Sequence, residues 1–185
     1  PTNKVVGMAG ILDSSRFKYF LSKELNEPIK NIKTLVLGGH GDTMVAMPKQ
    51  TTVKDKNLAE LLKDNRISVS KLDSIVNRTR KGGAEIVGLL KTGSAFMAPG
   101  ASVVRMIEAI LRDKRRILPC TVFLEGEYGW KDIFFGVPVV LGATGIIDVI
   151  ELKLTADEQS MLDTSAQDVE NTVKEVNKLL SEGKI

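Results

Sequence analysis

Apolar residues change their period along this chain, and the changes predict its elements. Val5-Val6-Gly7-Met8-Ala9-Gly10 is a short apolar run ending in small residues, which reads as a first strand. Ser14-Ser15 are placed to cap a helix from Arg16 to about Leu25, and Pro28 closes it. A second strand over Thr34 to Leu37 feeds Gly38-Gly39, and Thr43 to Met47 reads as extended before Pro48. A short helix is predicted from Asn57 to Lys63. From Ser70 onward Leu72, Ile75, Val76, Thr79, Ile86, Val87 and Leu90 form a helical stripe, with a kink expected at Gly82-Gly83. A further helix after Ser94 carries Val103, Ile107, Ile110 and Leu111 on one face, with Pro99 near its start.

The tail half is β-rich. Ile117 to Leu124, Ile133 to Leu141 and Gly145 to Leu154 read as strands, the last two joined by the compact hairpin Gly142-Ala143-Thr144-Gly145. Thr155 followed by Glu158 has the spacing of a capping box. Leu162, Ala166, Val169, Val173, Val176 and Leu180 then recur at helical spacing, so a long amphipathic helix closes the chain. The order of elements points to a mixed α+β fold, largely antiparallel with long packed helices, as a single domain over residues 1–185.

Composition narrows the class. With 43% hydrophobic and 26% charged residues the chain is an ordinary globular sequence, and no apolar run approaches the roughly 20 residues of a membrane span. A net charge of +3 is too small a surplus to call for nucleic acid or a membrane surface. The basic run Arg112-Asp113-Lys114-Arg115-Arg116 reads as a solvated turn after a helix C-terminus. One cysteine, Cys120, cannot form an internal disulfide, and no signal peptide is visible, so the expected compartment is the cytoplasm.

The candidate chemistry begins with His40, the only histidine, in Leu37-Gly38-Gly39-His40-Gly41-Asp42 at the end of a predicted strand. An imidazole at a glycine-rich loop mouth is an acid/base candidate, although a lone histidine also serves as a hydrogen-bonded structural residue. Asp13 and Arg16 stand three apart in Leu12-Asp13-Ser14-Ser15-Arg16, expected at a strand-to-helix junction. They read either as a helix cap with a surface arginine or as an orienting carboxylate with an anion clamp. Asp13 and Asp42 are both chemically suited to orient His40. A metal site is not expected, because the chain has one histidine and one cysteine far apart. A serine hydrolase lacks its G-x-S-x-G turn. Met8, Met44, Met47 and Met97 could line a pocket or fill the core.

Val5 to Phe17, Val36 to Val45, Thr92 to Ser102 and Gly136 to Gly142 resemble signature segments of the lactate/malate dehydrogenase superfamily, across essentially the whole chain. The segments Gly38-Gly39-His40-Gly41-Asp42-Thr43-Met44-Val45 and Thr92-Gly93-Ser94-Ala95-Phe96 are similar to the lactate-dehydrogenase-like malate dehydrogenases of bacteria. The resemblance implies the C-terminal substrate domain of such an oxidoreductase, interconverting L-malate and oxaloacetate with NAD in the tricarboxylic acid cycle. It implies His40 as proton donor and acceptor, Asp13 as its orienting group and Arg16 as the clamp on a substrate carboxylate. Met8 is implied near the nicotinamide, and Ser94 and Ala95 on the pocket wall. The substrate is a small dicarboxylate, and the expected assembly is a homo-oligomer, a dimer or tetramer, with contacts around Leu72 to Leu90.

The G-x-G-x-x-G turn and ribose-binding acid of the family's N-terminal Rossmann domain do not occur here, nor does its substrate-selecting loop. NAD is therefore expected to be held mainly by that missing domain, and this chain alone is expected to be inactive. Two alternatives stand beside this reading: a non-catalytic assembly module, and a fragment of a lactate or other 2-hydroxy acid dehydrogenase.

Overall fold

The computed structural model describes residues 1–184. Helix α1 spans Ala9–Leu25, seventeen residues, and lies between two apolar cores. Its Ile11 belongs to one core, and its Phe17 and Leu21 to the other. Each fully buried side chain of this size contributes roughly 1.5–3 kcal/mol. The first core is built on strands β6 (Arg116–Glu125), β7 (Lys131–Gly142) and β8 (Gly145–Val149), a sheet in the order β6-β7-β8. It is covered by α5 (Met97–Leu111) and by the first half of α6 (Ala156–Ser181). The second core joins α1 to α2 (Leu58–Lys63) and α3 (Val69–Arg80). Two-residue strands complete the fold: β1 (Ile32–Lys33), β4 (Thr52–Val53) and β5 (Lys56–Asn57) form one sheet, β2 (Val36–Leu37) and β3 (Val45–Ala46) another. Every strand pairing among the described residues is antiparallel.

Several expectations hold at the level of residues. The short helix expected from Asn57 to Lys63 is α2, and Thr155 and Glu158 form the expected capping box on α6. The helical stripe breaks at Lys81, and α4 (Gly82–Leu90) starts at the glycine pair. Pro99 sits in the first turn of α5, where its missing N–H has no helical partner to lose. Gly142 pairs with Gly145 across the two-residue hairpin. In the basic run, Arg112, Lys114 and Arg116 all converge on Glu108.

Four expectations are corrected. Val5 to Gly10 is not a strand: only Gly7 bridges, exchanging two backbone bonds of 2.8 and 2.9 Å with Thr121. Helix α1 begins at Ala9, seven residues before Arg16, because Ile11 and Leu12 are drawn into the core as the inner face of its first turn. Ser14 and Ser15 therefore cap nothing. Ser15 Oγ donates back to Ile11 O at 2.7 Å, and Ser14 Oγ accepts the Val36 N–H at 3.0 Å. The third correction concerns α5, whose predicted apolar stripe points mostly outward: Val103, Ile107 and Leu111 are exposed and only Ile110 packs on the first core, while Ser102, Met106 and Ala109 are buried. The strand predicted to reach Leu154 stops at Val149, although Leu152 and Leu154 still pack on the core.

Gly136 in β7 donates no side chain where Gly38 arrives. Gly38 donates its N–H to Gly136 O at 2.8 Å, and a Cβ at Gly136 would collide with Gly38 O. Gly136→Ala is expected to destabilise the fold by about 1–3 kcal/mol through this backbone collision. Gly88→Ala, in open space on α4, is expected to stabilise it by roughly 0.5–1 kcal/mol. Urea midpoints of the two variants against the parent check both signs.

Candidate active site

Asp13 is the fifth residue of α1 and is 1% exposed. It is neither at a strand-to-helix junction nor a cap; the helix carries it into the interior. Its Oδ2 lies 2.8 Å from Nδ1 of His40, whose side chain is 53% exposed. The carboxylate is therefore the buried partner and the imidazole the wet one. With Nδ1 engaged by Asp13, Nε2 is the nitrogen left for chemistry. Asp42 is not the orienting acid; it lies, exposed, in the short 3-10 turn Gly41–Thr43 that follows His40.

Local chemistry aligns the two partners. Thr34 Oγ1 donates to Ser14 O at 2.7 Å, and the Val36 N–H reaches Ser14 Oγ, so the residue after Asp13 ties α1 to the strand leading to His40. Gly38 adopts φ +88°, a left-handed conformation that turns the chain out of β2 without a Cβ penalty. Donating a hydrogen bond to the Asp13 carboxylate lifts the His40 imidazole above its ordinary 6.5. Partial burial opposes the lift, the charge of Asp13 adds to it, and the charge of Arg16 reduces it.

Arg16 lies one turn beyond Asp13 on the same helix. Its side chain is 12% exposed, and its Nη1 is 3.9 Å from Asp13 Oδ1, too long for a hydrogen bond. Both Arg16 Nε and Asp13 Oδ1 are buried with no hydrogen-bond partner among the described residues. A buried guanidinium with idle donors is costly unless an anion meets it. Gly82 and Gly83 floor the guanidinium: a Cβ at Gly82 would lie 3.0 Å from Arg16 Cδ, and one at Gly83 3.5 Å from Nη2. Sequence reasoning took this glycine pair for a kink alone. Its second role, clearance for a flat guanidinium, shows only when α4 is seen against α1. A cavity of about 560 Å³ opens beside Arg16, walled by Ile11, Leu12, Tyr19, Phe20 and Ile86, with Arg78, Glu85 and Arg105 as its other charged groups.

The remaining predicted residues make no side-chain hydrogen bond to this cluster among the described residues. Met8 precedes α1, half-buried against the first core. Ser94, exposed, and Ala95, half-buried, belong to the irregular segment between α4 and α5. Neither hydrogen-bonds to Asp13, Arg16 or His40, and neither lines the cavity beside Arg16. Met44 and Met47 are core residues, both 0% exposed. No cluster of three metal-ligating side chains occurs among the described residues, and none of their helices is long and apolar enough to cross a membrane.

Residues 11–180 match the model of the lactate/malate dehydrogenase alpha/beta C-terminal domain. The chain belongs to this family. A malate dehydrogenase of Ehrlichia canis is 51% identical over 175 residues, which cover 95% of this chain and 56% of that protein. The solved malate dehydrogenase of Salinibacter ruber superposes with a TM-score of 0.93 at 47% identity, covering 99% of this chain and 58% of that one. A lactate dehydrogenase of Eimeria maxima, solved with NADH and oxamate, superposes with a TM-score of 0.93 at 33% identity, covering 98% and 56%. This lactate/malate dehydrogenase domain thus spans somewhat more than half the length of the relatives it matches. The α+β architecture, with small antiparallel sheets and long helices, is the one these relatives share.

Proposed function

We propose that this chain is the substrate half of an NAD-dependent malate dehydrogenase, interconverting L-malate and oxaloacetate within the tricarboxylic acid cycle. The observation that carries the reading is the buried Asp13 carboxylate 2.8 Å from the His40 imidazole, with Arg16 beside it holding idle donors. The malate assignment draws further support from the Gly39-His40-Gly41-Asp42 and Thr92-Gly93-Ser94-Ala95-Phe96 segments and from the malate dehydrogenases of Ehrlichia and Salinibacter.

In ketone reduction, negative charge grows on the carbonyl oxygen, and protonated His40 neutralises it by giving its Nε2 proton. In malate oxidation neutral His40 takes the hydroxyl proton through the same nitrogen. Asp13 holds the ring in one orientation and stabilises the imidazolium. Arg16 binds a substrate carboxylate through its guanidinium fork and fixes the reacting carbon near His40. A nicotinamide cofactor would supply the hydride chemistry at that carbon, from its reduced form in one direction and to its oxidised form in the other. The residues present fit a carboxylate-bearing ketone at the imidazole, whereas they contain no glycine-rich phosphate turn, so a dinucleotide-binding half supplies most of the cofactor's contacts. Met8, Ser94 and Ala95 are assigned to the nicotinamide side and pocket wall on the family resemblance alone. A cytoplasmic location accords with the single free Cys120, buried and with its thiol pushed up to about 12.

Assembly into a homo-oligomer completes the proposal. Within the expected stretch Leu72 and Ile75 are buried in the chain while Val87, Leu89 and Leu90 are exposed, so the proposed contact surface is the end of α4 with the exposed Met97, Val104 and Leu111 of α5. Sedimentation at micromolar concentration is expected to show a dimer or tetramer. A monomer contradicts it.

With the dinucleotide-binding half joined to this chain, His40→Asn is expected to slow oxaloacetate reduction by about 10²–10⁴-fold. Arg16→Lys, which loses the bidentate fork, is expected to lower kcat/KM by about 10²-fold. Steady-state NADH oxidation reads both. Near-full activity of His40→Asn removes the acid/base role, and a kcat/KM on pyruvate equal to that on oxaloacetate removes the malate assignment.

A further inference from the structure

The loop that presents His40 is tied down from two other elements. Gly38 donates to Gly136 O in β7, and Gly39 donates its N–H to Ser165 Oγ in α6 at 2.8 Å, across 126 positions of sequence. Ser165 is 1% exposed, so water does not compete for that bond. Its neighbours on α6 behave differently. Thr164 and Thr172 turn their hydroxyls back to the carbonyls of Ser160 and Asp168, the ordinary local bond of a helical hydroxyl. Ser165 faces inward, on the same side as Leu162 and Ala166, which are core residues.

The loop has little room to settle elsewhere. A Cβ on Gly38 would come 2.7 Å from Ser165 Oγ, and one on Gly39 would come 2.8 Å from Thr43 Oγ1, so backbone and hydroxyl are already in close contact. The His40 side chain, by contrast, is half exposed, and its one hydrogen bond among the described residues is to Asp13. The position of the imidazole is therefore set by Asp13 and by the backbone that delivers it.

Resting on the acid/base role proposed above, we infer that Ser165 is a positioning residue for His40: by accepting the Gly39 N–H, it fixes the loop backbone that brings the imidazole to Asp13. The C-terminal helix thereby takes part in the site without touching the reacting atoms. The charged groups acting on His40 are Asp13 and Arg16, both from α1. The loop's bonds to α6 and β7 go to Ser165 and Gly136, which do not titrate.

The chain has one histidine, so its imidazole NMR signals follow a single titration curve. In Ser165→Ala the His40 midpoint is expected to fall toward the ordinary value by roughly half a pH unit, as the Asp13 bond loosens. Thr164→Ala, which deletes the adjacent hydroxyl without touching the loop, is expected to leave the midpoint in place. Ser165→Cys, which keeps a weak acceptor in the same space, is expected to fall between parent and alanine variant, and it carries the test if the alanine chain does not fold. A Ser165→Ala curve superimposable on the parent's overturns the inference, as does an equal shift in Thr164→Ala. Activity enters separately: a shifted Ser165→Ala curve beside a fully active His40→Asn enzyme supports the positioning and overturns the acid/base reading.

Discussion

Asp13 is a carboxylate at 1% exposure, and most of what surrounds it follows from keeping it there. An ionised acid at that depth needs partners, and the chain supplies them unequally: a short bond from His40 on one oxygen, and a long contact with Arg16 on the other. Helix α1 can hold the acid inside because it is anchored on both sides, by Ile11 in one core and by Phe17 and Leu21 in the other. A helix gripped by a single core could rotate to release the charge to water. One gripped by two cannot do so without emptying one of them, so packing holds an electrostatic arrangement that would not persist alone.

The same helix separates two tasks by one turn. Asp13 faces the loop that carries the proton-transfer group, and Arg16 faces the glycine floor of α4 and the cavity beside it. Asp13 and Arg16, one turn apart on one rigid helix, keep a constant relation to each other, and in the proposed reaction they hold the orientation of His40 and the substrate carboxylate in register. The unpaired Nε of Arg16 and the half-exposed imidazole of His40 are the features on which the proposed binding of a carboxylate-bearing ketone rests.

Much of this was legible in the residues. The strands read over Ile117 to Leu124 and Ile133 to Leu141, the Thr155–Glu158 capping box and the break at Gly82-Gly83 depend on local preferences, and the fold keeps them. Asp13, Arg16 and His40 were picked from residue type, flanking glycines and family resemblance, and Asp13 and His40 meet in space. Local signals misled where long-range contacts decide. Small residues before Asp13 looked like a strand end, yet Ile11 packs in the core with β6, Leu12 is buried as well, and the helix starts before them. The α5 stripe looked like an inner face, yet the residues turned inward are Ser102, Met106 and Ala109, two of them small. Ser165 gave no signal, because a serine on an amphipathic helix reads as a surface residue until its distant partner is known.

The central claim is that one imidazole, raised by Asp13, holds the proton in one direction of the reaction and accepts it in the other. The most direct measurement is the pH dependence of kcat/KM in both directions, with this chain joined to a dinucleotide-binding half. Oxaloacetate reduction needs protonated His40 and should fall as pH rises through a midpoint above about 6.5. Malate oxidation needs the neutral form and should rise through the same midpoint. Profiles that move in the same direction, or that break at different pH values, would contradict the account.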